Sequence, residues 1–132
     1  MDNKEKDLCE YRIASALETM ETAKWCVSNK HYKDAINRCY YAAFYAAKAV
    51  LALDSIDFKR HKDVVAYFNK NYIATDKLPR EVGKRLANLQ HKRENSDYDD
   101  FFIASLEETE KQLKSAEYII EEVQKYLKEN GN

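Results

Sequence analysis

Apolar residues along this chain recur at steps of three and four positions, which is the spacing of one helix face. The pattern predicts a first helix over about residues 5–28, with Ile13 and Leu17 among its inward positions. A second helix is predicted over about residues 32–54, and between residues 39 and 53 it is apolar on nearly every side. A helix of that kind is buried by several neighbours, or by neighbours and a second subunit.

Three further helices complete the pattern. A shorter helix is expected over about residues 59–73, and a fourth begins near Pro79, a residue type favoured in the first helical turn. The last helix opens at Ser105, where Ser105 and Glu108 have the spacing of a capping box. No segment has the alternation of a strand, and no internal repeat is present. The expected fold class is therefore all-α, an up-and-down bundle of four or five helices.

Composition agrees with one helical domain. The chain has 132 residues, of which 45% are hydrophobic and 34% charged, and it contains only two glycines and one proline. That length is enough to bury a single core, and so little turn chemistry implies few connections. We expect one domain over residues 1–132, with its core at about 8–127 and short flexible termini. The formal net charge of −1 excludes a whole-molecule basic field for nucleic acid and leaves room only for a local patch.

Cysteine usage and hydropathy point to a cytoplasmic protein. The three cysteines, Cys9, Cys26 and Cys39, lie in helical patterns without CxxC spacing, so we expect buried, reduced thiols. The first residues, MDNKEKD, are charged rather than apolar, unlike a signal peptide. The most apolar run, residues 39–53, contains Lys48 and is shorter than the roughly 20 residues of a membrane span. No membrane association is expected.

The residues that commonly carry chemistry are sparse. The chain has no Gly-rich phosphate loop, no GxSxG and no HExxH. Its three histidines, His31, His61 and His91, fall in different elements without metal-ligand spacing, so neither a metal site nor a cofactor is expected. His61 begins the apolar stripe of the third helix, and we expect it to be a hydrogen-bonded structural histidine.

One polar stretch, HKRENSDYDD, stands apart from these patterns. Arg93 continues the inward stripe of its helix, whereas His91 points to the opposite side. We expect Arg93 to emerge where the helix frays, with Asp97 and Tyr98 just beyond it on the connection. Two interpretations remain open. Arg93 either pairs with a nearby acid to fix the helix end, or it lines a polar pocket where a guanidinium meets a phosphate.

Three stretches together resemble a known family. They are METAKWCVSNKHYKDAINRCYYAAFYAAKAVLAL (20–53), HKDVVAYF (61–68) and KRENSDYDD (92–100). The run R-x-YYA-x-F-x-AAKA-x-L beginning at Arg38, combined with R-x-x-x-D-Y at Arg93, resembles the HEPN domain over nearly the whole chain. This resemblance implies a four- or five-helix bundle that is usually a homodimer.

The resemblance also implies a range of functions. Many HEPN proteins are toxins, CRISPR effectors or RNA-processing enzymes that cut RNA without metal. They use an Arg, four to six intervening residues and a His, and two such motifs meet across the dimer. Others are non-catalytic and bind nucleotides or partners. Small HEPN proteins often pair with a minimal nucleotidyltransferase in a toxin–antitoxin or related two-component system.

Carried onto this chain, the family's motif is incomplete. Arg93 takes the place of the motif arginine, but the histidine position is occupied by Tyr98, or by Asp99 or Asp100 at the longer spacings. Glu94 follows the arginine, where Asn, Asp or His is common. A tyrosine with a pKa near 10 is a poor base at neutral pH. Efficient ribonuclease activity is therefore not expected.

Three hypotheses follow from the residues and the resemblance together. The first is a dimeric module that binds a nucleotide, RNA or a partner such as a minimal nucleotidyltransferase, with Arg93, Asp97, Tyr98 and Arg38 at its ligand site. The second is a metal-independent endoribonuclease toxin with a divergent motif, whose candidate catalytic residues are Arg93, Asp97 and Tyr98. The third is a structural helical adaptor.

Overall fold

A computed structural model describes residues 3–130 of the chain. Its five α-helices are α1 (Asn3–Ser28), α2 (Tyr32–Leu51), α3 (His61–Phe68), α4 (Arg80–Tyr98) and α5 (Leu106–Asn130). A 3₁₀ turn, Ala52–Asp54, continues α2, and a π-helical turn, Asn69–Ile73, continues α3. Residues 3–130 contain no β-strand, so the predicted all-α bundle is confirmed, and the helical backbone matches the predicted ranges closely.

The central element is α2, which contacts α1, α3, α4 and α5. Most of its side chains are buried, as its apolar pattern predicted, and the small alanines allow the neighbouring helices to approach closely. The buried set is Ala35, Ile36, Cys39, Tyr40, Ala42, Ala43, Phe44, Ala46, Ala47, Ala49, Val50 and Leu51. Four neighbours from the same chain cover this helix, and only one stripe of it stays partly open.

The open stripe of α2 carries polar and aromatic side chains. Arg38, Tyr41, Tyr45 and Lys48 are partly exposed and recur at steps of three and four residues. They therefore share one face of the helix, between α1 on one side and α3 and α4 on the other. This face is where the fold brings cations and aromatic rings together.

The end of α4 differs from the prediction. The helix does not fray at Arg93 but continues through Tyr98, so Asp97 and Tyr98 belong to its last turn rather than to the connection. Two interactions extend the helix. Arg93 pairs with Asp97 one turn later, and the side chain of Ser96 is buried against the bundle. The connection begins only at Asp99.

The start of α5 confirms half of the predicted capping box. The Ser105 hydroxyl oxygen accepts a hydrogen bond from the Glu108 amide at 3.1 Å. The carboxylate of Glu108 is instead engaged by Lys92, 3.3 Å away, and by the amide of Gln112. Glu108 thereby ties α5 to α4 rather than closing the box.

The three cysteines are buried and free, as predicted. Burial raises the pKa of each thiol, and that of Cys39 reaches about 12. They are therefore protonated packing groups rather than nucleophiles. Among the described residues, no helix combines the length and apolar character needed to cross a membrane.

Candidate functional site

Arg93 reaches from α4 onto the aromatic rings of α2. Its guanidinium carbon lies 4.9 Å from the ring centre of Tyr40 and 5.7 Å from that of Tyr41. The side chain is only 17% exposed, so the predicted inward orientation is correct. A partly desolvated guanidinium is attracted by the negative ring faces beneath it.

The hydrogen bonds of Arg93 leave part of the guanidinium unused. Its Nη1 donates to Asp97 Oδ2 at 2.8 Å, while its buried Nε has no hydrogen-bond partner among the described residues. A guanidinium has five N–H donors, arranged to bind a carboxylate or phosphate in pairs. The Arg93–Asp97 pair is thus the local pairing that sequence reasoning anticipated, but it does not use the full capacity of the arginine.

Arg38 approaches the same aromatic surface from α2. Its guanidinium carbon lies 5.2 Å from the ring centre of Tyr41, and its Nε donates to Asn37 Oδ1 at 3.0 Å. Arg38 and Arg93 are 55 positions apart in the sequence, yet both contact one tyrosine ring. The structure therefore brings these two predicted site residues together, although their charges repel each other.

His61 joins this group from the start of α3. Its ring centre lies 4.2 Å from that of Phe44 and 5.6 Å from that of Tyr41. Partial burial lowers the pKa of His61, and the positive charges of Arg93 and Lys48 lower it further. The imidazole is thus neutral at pH 7. Instead of the hydrogen bond expected from sequence, ring contacts hold it within the described structure.

We call Arg38, Tyr41, His61, Arg93 and Asp97 the Tyr41 site. Sequence reasoning missed Tyr41 and the place of His61 within it. The apolar stripe of the third helix begins at His61, which stays exposed in the structure although its ring contacts α2. No local signal reveals which residues it meets on another helix. Because Tyr41 lies on a helix that is apolar almost all round, the sequence predicted only bulk for it.

The other two polar neighbours of Arg93 lie elsewhere. Tyr98 directly follows Asp97 in the sequence, but it is 81% exposed and its ring lies in solvent. His91 Nε2 lies 3.2 Å from Asn95 Nδ2 on the outer side of α4, as the helical phase predicted. The histidine nearest to Arg93 in sequence is therefore not its neighbour in space, whereas His61 is.

The Tyr41 site carries excess positive charge and no strong base. Burial raises the pKa of Tyr40 to about 12, an effect that Arg93 only partly offsets, so its hydroxyl stays protonated. The Arg93 guanidinium pairs with Asp97, the Arg38 guanidinium is bound to the Asn37 amide oxygen, and the charge of Glu94 acts on Tyr40. Within residues 3–130, no three His, Cys, Asp or Glu side chains converge to hold a metal ion. The arrangement is suited to binding an anion through side-chain cations.

Comparison with known proteins agrees with this fold. The sequence pattern of the HEPN domain matches residues 9–126. A UPF0332 protein of Thermotoga maritima is 30% identical over 129 residues, which covers 98% of this chain and 97% of that protein. Two proteins of Methanocaldococcus jannaschii carry the names "Putative toxin MJ0142" and "Putative toxin MJ0605". They are 29% and 31% identical, over 96% and 89% of this chain and 86% and 87% of their own lengths. The chain belongs to the HEPN domain family.

Proposed function

We propose that the Tyr41 site binds a phosphate group of a nucleotide or of RNA. The observation that carries this proposal is the approach of two guanidiniums to one tyrosine ring, at 5.2 and 5.7 Å. Two like charges near each other repel, so an anion between them is stabilising. Asp97 neutralises Arg93, and the nearby Glu94 carboxylate, whose charge acts on Tyr40, accepts a hydrogen bond from Gln90. A phosphate adds the missing negative charge and accepts several N–H donors at once.

Each residue of the site has a role in this proposal. Arg93 donates to the phosphate with the N–H groups that Asp97 leaves free, and Asp97 orients its guanidinium. Arg38 turns from Asn37 toward the ligand. Tyr41 supports both guanidiniums from beneath, and His61 supplies a further donor when protonated.

We infer that this chain is one component of a toxin-like two-component system in the cytoplasm. In it, this chain forms a homodimer and engages a minimal nucleotidyltransferase, while its own ribonuclease activity is weak. Membership of the HEPN family supports this role, as do the toxin names of two relatives. The missing histidine after Arg93 supports weak cleavage, because the motif position holds Tyr98 instead.

Binding of labelled mononucleotides and short RNA by the purified protein tests the phosphate proposal. Arg93→Ala and Arg38→Ala are each expected to weaken binding about tenfold or more, the loss of one charge-assisted contact. Arg80→Ala, at the exposed start of α4, is the matched control and is expected to bind normally. No measurable binding by the wild type, or equal losses in all three variants, would refute the proposal.

The endoribonuclease alternative is favoured by one observation, the place of His61. A neutral imidazole near Arg93 has the protonation state of a general base. It would take the proton of the 2′-hydroxyl as that oxygen attacks phosphorus, while the bond to the 5′-oxygen breaks and that oxygen takes a proton from water. The products are a 2′,3′-cyclic phosphate and a 5′-hydroxyl.

Cleavage assays in EDTA decide between the two functions. The alternative requires RNA cleavage that disappears in Arg93→Ala and His61→Ala and persists in His91→Ala, since His91 lies away from the site. Absence of cleavage over a broad RNA set excludes it. If an Arg93→Ala, Tyr98→Phe variant keeps normal affinity for the partner protein and the wild type binds no nucleotide, the adaptor hypothesis is favoured.

A further inference from the structure

Three large apolar side chains near the end of α4 lie almost wholly in solvent. Tyr98, Phe101 and Ile103 are 81%, 90% and 88% exposed. They lie with Asp97, Asp99 and Asp100 in residues 97–103, which we call the acidic-aromatic segment. Clustered exposure of this kind marks a contact surface in a folded protein.

The fold holds this segment in an outward-facing conformation. The Asp99 carboxylate accepts a hydrogen bond from the Phe101 amide at 2.9 Å, and its carbonyl accepts one from the Phe102 amide at 3.0 Å. After this turn the exposure alternates, because Phe101 and Ile103 face solvent while Phe102 and Ala104 are half-buried. The two apolar side chains therefore point the same way from an anchored backbone.

A groove between α1 and α2 has the complementary character. Its volume is about 580 Å³. Leu8, Tyr11 and Tyr45 form apolar walls. Three cations, Arg12, Arg38 and Lys48, line the groove against two carboxylates, Glu18 in the lining and Asp57, which pairs with Arg12 and Lys48. Tyr11 is 70% exposed, so much of this wall also lies uncovered.

We propose that the acidic-aromatic segment of one protomer docks in the α1–α2 groove of a second copy of this chain. Phe101 and Ile103 pack against the tyrosine and leucine walls, and Asp99 and Asp100 approach the cations of the groove. Their exposure within one chain shows that the segment does not fill its own groove. Since each chain carries both halves of the contact, a two-fold dimer forms it twice.

The docked segment would border the Tyr41 site, because Arg38 lines both the groove and that site. The second copy thus contributes acidic and aromatic residues to the edge of the proposed phosphate site. The docking rests on the homodimer inferred above but not on phosphate binding, and nucleotide affinity of the same variants can be measured in parallel. Failure of one proposal therefore leaves the other testable.

Mixing two variants gives a sharp test by sedimentation. A segment variant carries Phe101→Ser and Ile103→Ser, and a groove variant carries Tyr11→Glu and Thr22→Glu at partly or fully exposed positions of α1. The wild type is expected to sediment at twice the 15.5 kDa chain mass. Each variant alone is expected to dissociate at least about tenfold more readily.

An equimolar mixture of the two variants is expected to recover dimers. The groove variant keeps an intact segment and the segment variant keeps an intact groove, so a mixed dimer retains one of two contacts. The matched control has Ala14→Glu and Leu17→Glu, on α1 but outside the groove, and is expected to dimerise normally. Leu17, predicted to face inward, is 42% exposed in the structure and therefore accepts this change. Thermal unfolding shows whether each variant is folded. If a double variant is unfolded, the single substitution Ile103→Ser or Tyr11→Glu is used in its place.

Four outcomes would overturn the proposal. A monomeric wild type would mean that another protein covers the segment. Wild-type dimerisation by either variant would place the interface elsewhere. A mixture that stays monomeric would indicate that the segment contacts its own counterpart across the two-fold axis. Equal weakening by the control variant would remove the groove from the contact.

Discussion

Two arginines of this protein are largely buried, and the fold uses them differently. Arg12 on α1 donates from Nη1 to the Lys48 carbonyl at 2.9 Å and from Nη2 to Asp57 Oδ1 at 3.2 Å. These partners are 36 and 45 positions away in the sequence. The Arg12 corner therefore joins α1 to α2 and to the connection that leads to α3.

Among the residues that the structure describes, Arg93 makes no such long-range hydrogen bond. Its acid partner, Asp97, lies four positions away on the same helix, and its contact with α2 is made through aromatic rings. One buried N–H remains unpaired among the described residues. Removing Arg93 therefore disconnects no pair of elements by hydrogen bonding.

The comparison shows that burial alone does not distinguish an arginine that joins elements of the fold from one whose donors remain available. The two arginines differ in how many of their N–H donors are hydrogen-bonded within the fold, and in how far along the chain the acceptors lie. Long-range acceptors make Arg12 part of the scaffold. Unused donors in a cationic, aromatic setting make Arg93 available to a ligand.

The largest expected effect on stability is at the Arg12 corner. Arg12→Ala removes two charge-assisted hydrogen bonds between elements and is expected to lower the free energy of unfolding by about 2–4 kcal/mol. Urea denaturation measures the loss. The control Arg80→Ala breaks an exposed pair with Asp76 and is expected to cost less than about 1 kcal/mol. Similar losses in the two variants would remove the structural distinction between the arginines.

A smaller loss of stability is expected at Arg93. Arg93→Ala removes a local ion pair and two ring contacts, which together contribute about 1 kcal/mol. The same urea experiment applies, with nucleotide binding measured alongside it. A loss as large as that of Arg12→Ala, without an effect on binding, would make Arg93 a second structural arginine.

The pH dependence of ligand binding sharpens the account of the Tyr41 site. Burial, Arg93 and Lys48 lower the pKa of His61 below its usual 6.5. His61 therefore gains its proton at a lower pH than an ordinary histidine does. Protonation adds positive charge beside Arg93, and affinity for a phosphodiester dinucleotide is expected to rise a few-fold as the pH falls to about 5.5. A diester is chosen because a phosphate monoester titrates near pH 6 itself.

Two histidine variants serve as controls for that rise. His61→Gln is expected to abolish it, whereas His91→Gln is expected to keep it, because His91 contacts Asn95 on the outer face. The stability of the ligand-free protein depends on pH in the opposite direction. The unfolded chain binds the His61 proton at higher pH than the folded chain, so stability falls as the pH decreases through the ordinary pKa. If the affinity of His61→Gln still rises as the pH falls, His61 is excluded from the site.

The smallest effect is expected at Tyr98. Its ring is in solvent, so Tyr98→Phe is expected to change stability by less than about 0.5 kcal/mol and nucleotide affinity by less than about twofold. Calorimetric titration and urea denaturation measure both quantities. A tenfold loss of affinity would show that the Tyr98 hydroxyl contacts the ligand, and would return it to the role predicted from the sequence.

The sequence by itself determined the helices and the direction that Arg93 faces. Helical hydrogen bonds and side-chain periodicity are local, so the spacing of apolar residues suffices to place α1 to α5 and the inward stripe of α4. It did not determine where α4 ends. The last turn depends on burial of Ser96 and on the Arg93–Asp97 pair, and the neighbours that bury Ser96 belong to the assembled bundle.

Only the tertiary structure decided which residues meet at Tyr41. Arg38 and Tyr41 come from α2, His61 from α3 and Arg93 from α4, and their contacts depend on how three helices pack. The residues between them carry no signal of that packing, because a helix face specifies that a side chain is covered but not by what. No histidine follows Arg93 at the motif spacing, yet His61 contacts the Tyr41 ring and its pKa responds to Arg93, because helix packing rather than spacing in the sequence placed it there.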